Sequence, residues 1–414
     1  VNTLHKSVAV IGGGPAGLAA ALALYKKGIS DIIILEREHF LGGILRQCIH
    51  DGFGLTRFGQ TLSGPEYADR FIREVRQAGI EAVTDATVIG ITPDRLVTAA
   101  TREGLLRLQA DAVVLTMGCR ERTRGALSIP GERPAGGFTA GVAPTDINLK
   151  NTMVGRRAGI LGSGDIGMIM ARRLTLEGAR VLAVFEILPY PSGLPRNIEQ
   201  CLNDYGIPLY LSHTVPQIKG KGRLDAVVVS RVDEKLCPIP GTEREYACDT
   251  LILSVGLIPE NELSLKAGVT LDPRTRGALA DENYQTSVPG IFAAGNVLHV
   301  HDLVDFVSLE AENLAGSVAG YLAHETLLPC SIAIETDGSV GYTVPQRISG
   351  QKDVTLSLRV RRPMKNCVLE LWQDGGVIAS RKLRKAIPAE MERIKLPCGK
   401  LVSRNPVKVV ARDD

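Results

Sequence analysis

The chain has 414 residues, with 48 Lys and Arg against 45 Asp and Glu, a formal net charge of +3. That length allows two or three domains with large cores, and so small a charge gives no global signature of a nucleic-acid or anionic-membrane binder. Eight cysteines are scattered with no C-x-x-C pair, which speaks against a zinc ribbon, a ferredoxin-type cluster or a disulfide scaffold and for reduced thiols in a cytoplasm.

An apolar run at 8–11 leads into Gly12-Gly-Gly-Pro-Ala-Gly17, an Ala/Leu-rich helix over 18–25 closed by Gly28, a second apolar run at 32–35, and then Glu36. Strand, glycine turn, helix, strand and acid is the order a dinucleotide needs. Gly12 allows the tight turn, Gly14 lets a pyrophosphate approach the backbone, and Gly17 lets helix and strand pack closely. Pro15 and Ala16 belong to the same turn, and the helix N-terminus offers unpaired N–H groups to phosphate. Glu36, 24 residues beyond Gly12, is placed for ribose hydroxyls. The chain enters a strand at once, so no signal peptide is expected. The apolar stretch 8–24 is broken by glycines and proline, so no membrane span is expected either.

Ser63-Gly-Pro-Glu66 is a capping-box pattern ahead of a helix over 67–78. Residues 81–109 read as short strands with turns at Pro93-Asp94 and Glu103-Gly104, and 112–118 as an apolar strand ending in Gly118. A second unit follows the first in kind: a strand at 158–161, Gly162-Ser-Gly-Asp-Ile-Gly167, a helix through Leu176, a strand at 181–185, and Glu186, again 24 residues beyond its first glycine. Leu251-Ile-Leu-Ser-Val-Gly256 mirrors the strand that ends at Gly118. The chain thus holds one type of nucleotide-binding unit twice, and Gly162, Gly164, Asp165, Gly167, Glu186 and Gly256 make up the second set. After a strand that ends near Gly295-Asn296, a helix is expected from about Asp302, as its N-cap, to Ala323. Beyond 329, alternating apolar residues and the hairpin signal Asp374-Gly-Gly376 indicate a small all-β domain.

The two glycine turns with their acids, the Met-Gly and Val-Gly strand ends and the late Pro-Gly-Ile-Phe-Ala-Ala-Gly-Asn run resemble the two-dinucleotide FAD/NAD(P) disulfide-reductase superfamily, in a thioredoxin-reductase-like layout. The resemblance implies an α/β fold of two Rossmann-like three-layer domains. The FAD domain (1–117 and 263–328) is split by an inserted NAD domain (118–262), and the β domain (329–414) follows. It implies FAD on Gly12, Gly14, Gly17 and Glu36, together with Gly43, Gly118, Gly295, Asn296, Asp305 and Phe306. It implies NAD(H) on the second set, and a domain rotation to bring nicotinamide to flavin. The segments 41–50, 61–67, 118–122 and His299-Val-His-Asp-Leu-Val-Asp-Phe306, with Val344-Pro-Gln346, look like the NAD/FAD oxidoreductases found with anaerobic-type glycerol-3-phosphate dehydrogenases. That implies a partner flavoprotein or [2Fe–2S] electron-transfer protein, in a homo- or hetero-oligomer. Two features depart from the superfamily. Asn296 stands where Asp is usual, and Leu45 and His50 stand where a C-x4-C pair would lie, so the usual redox disulfide is absent.

The chemistry expected is hydride exchange between NAD(H) and FAD, with electrons passing to or from an acceptor. Glu186 repels a 2′-phosphate, which favours NAD over NADP, unless Arg180 or Arg196 reaches it. Cys48 has two readings, a redox thiol near the flavin or a buried cysteine packed as a small hydrophobe. His299, His301, Asp302 and Asp305 superficially suggest a metal site, but a structural or flavin-edge role is the stronger reading, and no metal is expected. Cys119-Arg-Glu-Arg122 reads as a solvated hinge, with contact to the nucleotide as the alternative. The basic residues Arg359, Arg361, Arg362, Lys365, Arg381, Lys382, Arg384 and Lys385 read as a solvated face or a dock for an acidic partner. The rival functions are a stand-alone peroxide-forming NADH oxidase, an FAD-holding relay subunit that no longer uses NAD, and a dehydrogenase acting directly on a small substrate.

Overall fold

The computed structural model describes residues 3–414. The chain forms two compact units, Val1–Cys119 with Pro259–Asp414, and Arg120–Ile258.

The first unit opens with β1 (Thr3–Ile11), α1 (Pro15–Lys26), β2 (Ile32–Leu35), α2 (Gly64–Gln77), β3 (Glu81–Val83), β4 (Thr87–Ile91), β5 (Leu96–Thr101) and β6 (Gly104–Leu115), in spatial order β3-β2-β1-β6-β5-β4. Strands β3, β2, β1 and β6 run parallel, and β5 and β4 fold back on β6 as an antiparallel meander. Strand periodicity sorts the core into two layers. Val8, Val10, Ile32, Ile34 and Val114 are buried on one face, and Ala9, Ile11, Ile33, Leu35 and Val113 on the other. A sheet covered on both faces explains why these strands read as continuous apolar runs. Pro15 opens α1, whose Ala16–Leu22 stretch is wholly buried. Glu66 caps α2 through its Oε2, which accepts the Ser63 N–H at 2.8 Å.

The second unit repeats the plan with β7 (Gly137–Thr139), β8 (Arg157–Leu161), α3 (Asp165–Leu176), β9 (Arg180–Glu186), β10 (Leu209–Leu211), β11 (His213–Lys219), β12 (Ala226–Arg231), β13 (Arg244–Ala247) and β14 (Thr250–Leu253). Its parallel sheet has the order β7-β14-β8-β9-β10, and β11-β12-β13 form a separate antiparallel sheet. Strand, glycine turn, helix and strand (β8-α3-β9) correspond to β1-α1-β2.

The chain returns to the first unit with β15 (Ile291–Ala293), which pairs parallel to β6, and α4 (Val304–His324), whose inner face carries Val307, Ala311, Leu314, Ala315 and Val318. This helix starts after Leu303. Asp302 is therefore not its N-cap: its carboxylate accepts the Met391 N–H at 3.2 Å and lies 3.8 Å from Arg359. A tertiary partner has displaced the local cap.

The remainder is all-β: β16 (Ile332–Thr336), β17 (Val340–Val344), β18 (Arg347–Ile348), β19 (Val354–Val360), β20 (Met364–Gln373), β21 (Gly376–Ala386), β22 (Glu392–Leu396) and β23 (Val407–Asp413). Two sheets, β18-β16-β23-β20-β21 and β17-β19-β22, enclose a core that includes Leu356, Leu358, Leu369, Leu371 and Val407. Asp374 and Gly375, both at positive φ, make the β20–β21 turn in the handedness a tight hairpin requires. Gln346 ties this region to the residues before β15. Its Oε1 accepts the Ala280 N–H at 2.9 Å and its Nε2 donates to Asp272 at 3.0 Å. Arg359 is not part of a solvated face. Its guanidinium donates to the Val300 carbonyl at 3.1 Å and the Pro388 carbonyl at 2.9 Å. No helix among the described residues is long and apolar enough to cross a membrane.

Candidate functional site

The two glycine turns are built by the same contacts. Gly12 has φ +108°, and a Cβ there would lie 2.6 Å from the Thr116 carbonyl oxygen. Gly162 has φ +95°, and its Cβ would lie 2.0 Å from the Ser254 carbonyl oxygen. Thr116 and Ser254 hold equivalent places at the ends of β6 and β14. Sequence reasoning noted that these strand ends mirror each other but assigned neither hydroxyl a role. Thr116 Oγ1 donates to the Ile11 carbonyl at 2.8 Å, and Ser254 Oγ accepts the Gly167 N–H at 3.1 Å. The third glycines are closely packed too: a Cβ on Gly17 would sit 1.9 Å from the Gly12 carbonyl oxygen, and one on Gly167 2.6 Å from Ser254 Cβ.

The acids match as well. Glu36 is buried, its Oε2 accepting the Gly13 N–H at 2.7 Å and its Oε1 the Glu38 N–H at 2.8 Å. Glu186 is buried in the same way, Oε2 accepting the Ser163 N–H at 2.9 Å and Oε1 the Leu188 N–H at 3.0 Å. In the second unit Ser163 Oγ (2.6 Å) and Ser192 Oγ (2.8 Å) also donate to Oε2. Each carboxylate thus lies against its glycine loop, and Oε1, with a single backbone donor, keeps acceptor capacity. Asp165 is otherwise engaged, since its Oδ1 accepts from the Leu194 N–H at 2.7 Å and Asn197 Nδ2 at 2.6 Å.

Of the further residues expected around the first turn, the fold brings Gly43 and Gly295 against it. Gly43 packs so closely that a Cβ would lie 3.0 Å from Gly14 Cα, and Gly42 N–H donates to the Gly13 carbonyl at 2.8 Å. Gly295 has φ +77°, and its Cβ would meet Ala16 Cβ at 2.9 Å. Pro15 and Ala16 open α1 between them, while Gly14 itself meets nothing nearer than Gly43. Asn296 Oδ1 accepts the His301 N–H at 3.0 Å. Asp305 is buried, with Oδ2 3.4 Å from the Thr56 N–H and Oδ1 without a hydrogen-bond partner. Phe306 carries the Arg393 guanidinium 3.6 Å above its ring, a cation–π contact. Gly118 and Gly256 both take positive φ at their strand ends.

Cys48 sits at the end of a short helical turn rather than in an extended stretch, and its Sγ donates to the Ile44 carbonyl at 3.4 Å. Burial pushes its thiol up to about 11. His50 turns to the Asp51 carbonyl at 2.9 Å. These are the surroundings of a packed thiol, not of an activated one, which needs a cation or helix N-terminus. Glu121 is not a solvated hinge charge either. Its carboxylate accepts the Gly141 N–H at 2.7 Å, and burial raises its carboxyl above the ordinary range.

Sequence reasoning missed Glu310. It lies on the inner face of α4, beside Val307 and Ala311, where an acid among apolar positions was the available signal. Its Oε1 accepts the Gly295 N–H at 2.7 Å, and His299 Nε2 is 2.8 Å and His301 Nε2 3.5 Å from its Oε2. Burial would raise this carboxyl, but the two imidazoles outweigh it and hold it well below the usual range. Burial pushes His299 below its ordinary value, against the pull of Glu310 in the other direction.

Each turn suits one dinucleotide: a helix N-terminus with unpaired N–H groups, a glycine with no Cβ where phosphate approaches, and a buried acid with acceptor capacity left. The fold and these paired cradles place the chain in the class of nucleotide-binding α/β oxidoreductases. A family model for pyridine nucleotide-disulphide oxidoreductases matches residues 6–312, and the chain belongs to that family. Its members bind a flavin and a pyridine nucleotide. The chain is 26% identical over 358 residues to the small chain of the NADPH glutamate synthase of Mycobacterium tuberculosis, covering 79% of this chain and 69% of that one. It is 25% identical over 357 residues to hydrogen cyanide synthase subunit HcnB of Pseudomonas aeruginosa, covering 79% and 73%. Lactococcus lactis thioredoxin reductase superposes with a TM-score of 0.63 at 22% identity, covering 77% of this chain and 99% of that one, a likeness of fold.

Proposed function

We propose that the chain is an FAD-dependent NADH:acceptor oxidoreductase that exchanges hydride between NAD(H) and FAD with no redox-active disulfide between them. The observation that carries this reading is the paired construction: two cradles, each with a buried acid held by its own glycine loop, in a chain without the usual redox cysteine pair. When bound, the flavin supplies two-electron chemistry and the nicotinamide the hydride. The protein's part is binding and orientation. The N-termini of α1 and α3 receive the pyrophosphates. Glu36 and Glu186 take ribose hydroxyls on the acceptor sites that Oε1 retains. A carboxylate at 186 disfavours a 2′-phosphate, which supports NAD over NADP. Glycines 14, 43 and 295 keep the first cradle narrow.

The chain's place in a larger enzyme is part of the proposal. Both relatives named above are, by their names, a chain or subunit of a larger enzyme. Those names support a subunit role, and the partner proposed, a glycerol-3-phosphate-dehydrogenase-like flavoprotein or a [2Fe–2S] protein, rests on the resemblance of the His299–Phe306 and Val344–Gln346 segments alone. Anaerobic titration of the purified protein with NADH and then NADPH tests the reading. Bleaching of the flavin absorbance by NADH alone is the expected result, and no bleaching by either nucleotide would overturn it.

A further inference from the structure

His299, His301 and Glu310 bring three ligand atoms within 4.8 Å of one another. All three side chains are nine-tenths or more buried. Asn296 Oδ1 accepts the His301 backbone N–H at 3.0 Å and lies 3.3 Å from His301 Nδ1, which places the ring. His301 Nε2 is left facing Glu310 Oε2 at 3.5 Å, buried and with no hydrogen-bond partner. A cation between the two atoms would pair both of them.

We propose that His299, His301 and Glu310 form a buried site for a divalent transition metal of the zinc class. Ligand atoms about 2.0–2.2 Å from a tetrahedral zinc lie roughly 3.3 Å apart, and the separations of 2.8 and 3.5 Å from Glu310 Oε2 bracket that value. Two imidazoles and one carboxylate suit zinc rather than magnesium or calcium, which take oxygen donors. Two of the three ligands already have the outer bonds that metal ligands need: Asn296 holds His301 Nδ1, and the Gly295 N–H holds Glu310 Oε1 at 2.7 Å. His299 Nδ1 has no hydrogen-bond partner, so its ring is set by the metal bond and by packing against Tyr342. The metal joins the segment after β15 to the second turn of α4, and so fixes the polypeptide between Gly295 and the helix start.

The test uses the full-length flavoprotein carrying Cys237→Ser, which removes an exposed thiol that would bind zinc by itself. After chelator treatment it is dialysed against Zn²⁺ and metal per chain is measured by mass spectrometry, with thermal unfolding followed with and without Zn²⁺. The expected result is one zinc per chain, a higher midpoint with zinc, and at least a tenfold loss of zinc affinity in His301→Gln. If the Gln variant fails to fold, the parent protein's stoichiometry and its zinc-dependent midpoint decide. Less than a tenth of a zinc per chain, a midpoint indifferent to zinc, or equal binding by a folded His301→Gln protein would overturn the site and leave an imidazolium–carboxylate cluster.

Discussion

Replacing Glu186 with Gln tests the second cradle at its most specific point. The carboxylate is 3% exposed and takes four donors, from Leu188, Ser192 and both the backbone and side chain of Ser163. A 2′-phosphate beside it would face like charge. Two unit charges about 4 Å apart repel by about 4 kcal/mol at an effective dielectric of 20, and about 1.4 kcal/mol is a factor of ten. The wild-type protein should therefore prefer NADH to NADPH by up to about three powers of ten in kcat/KM with ferricyanide as acceptor. In Glu186→Gln the amide oxygen can still receive Ser163 and Ser192, but the NH2 then meets the Leu188 N–H, leaving one donor unpaired at a cost of about 1–3 kcal/mol of stability. The variant should lose about tenfold in kcat/KM for NADH and gain for NADPH, so the preference falls by at least two powers of ten. A wild-type preference for NADPH, or an unchanged ratio in a folded variant, would refute the argument.

The glycine turns predict a dissection of the two sites. Gly162→Ala should keep flavin and lose reduction by NADH, whereas Gly12→Ala should yield protein without bound flavin; absorbance spectra and nucleotide titration distinguish them. Cys48 is pushed up to about 11, so about a thousandth of it is thiolate at pH 8. Iodoacetamide at that pH should label the exposed Cys237 and spare Cys48, as peptide mass spectrometry would read. Because the folded thiol titrates above its ordinary value, its contribution to stability is complete below about pH 9 and is lost as pH rises toward 11, and Cys48→Ser should weaken that alkaline loss while retaining reduction by NADH. Arg359→Leu removes donors to Val300 and Pro388, each charged hydrogen bond being worth about 1.5–3 kcal/mol, and should lower the thermal midpoint by several degrees.

The glycine turns were legible because a positive φ and the spacing to the acid, one helix and one strand, are local requirements that leave a glycine pattern, although the carbonyls that exclude a Cβ belong to the distant Thr116 and Ser254. The capping box at Ser63 and the hairpin at Asp374 were legible for the same reason. Residues whose partners are distant in sequence were not. Asp302 carries a cap signal, yet Met391 and Arg359 claim it. Arg359 lies on the outward face of β19 by alternation, but the segment 300–302 covers that face, so a residue spelled as solvent-facing is enclosed. Glu310 occupies an apolar helix position and is understood only once His299 and Gly295 are beside it.

In the proposed function one chain binds a flavin and a nicotinamide nucleotide and passes hydride between them without a disulfide. Anaerobic titration of the purified Cys48→Ser protein with NADH tests it most directly. Complete bleaching of the flavin at one NADH per chain is the expected result. A flavin that stays oxidised under excess NADH, or one that bleaches only when Cys48 is present, would contradict it.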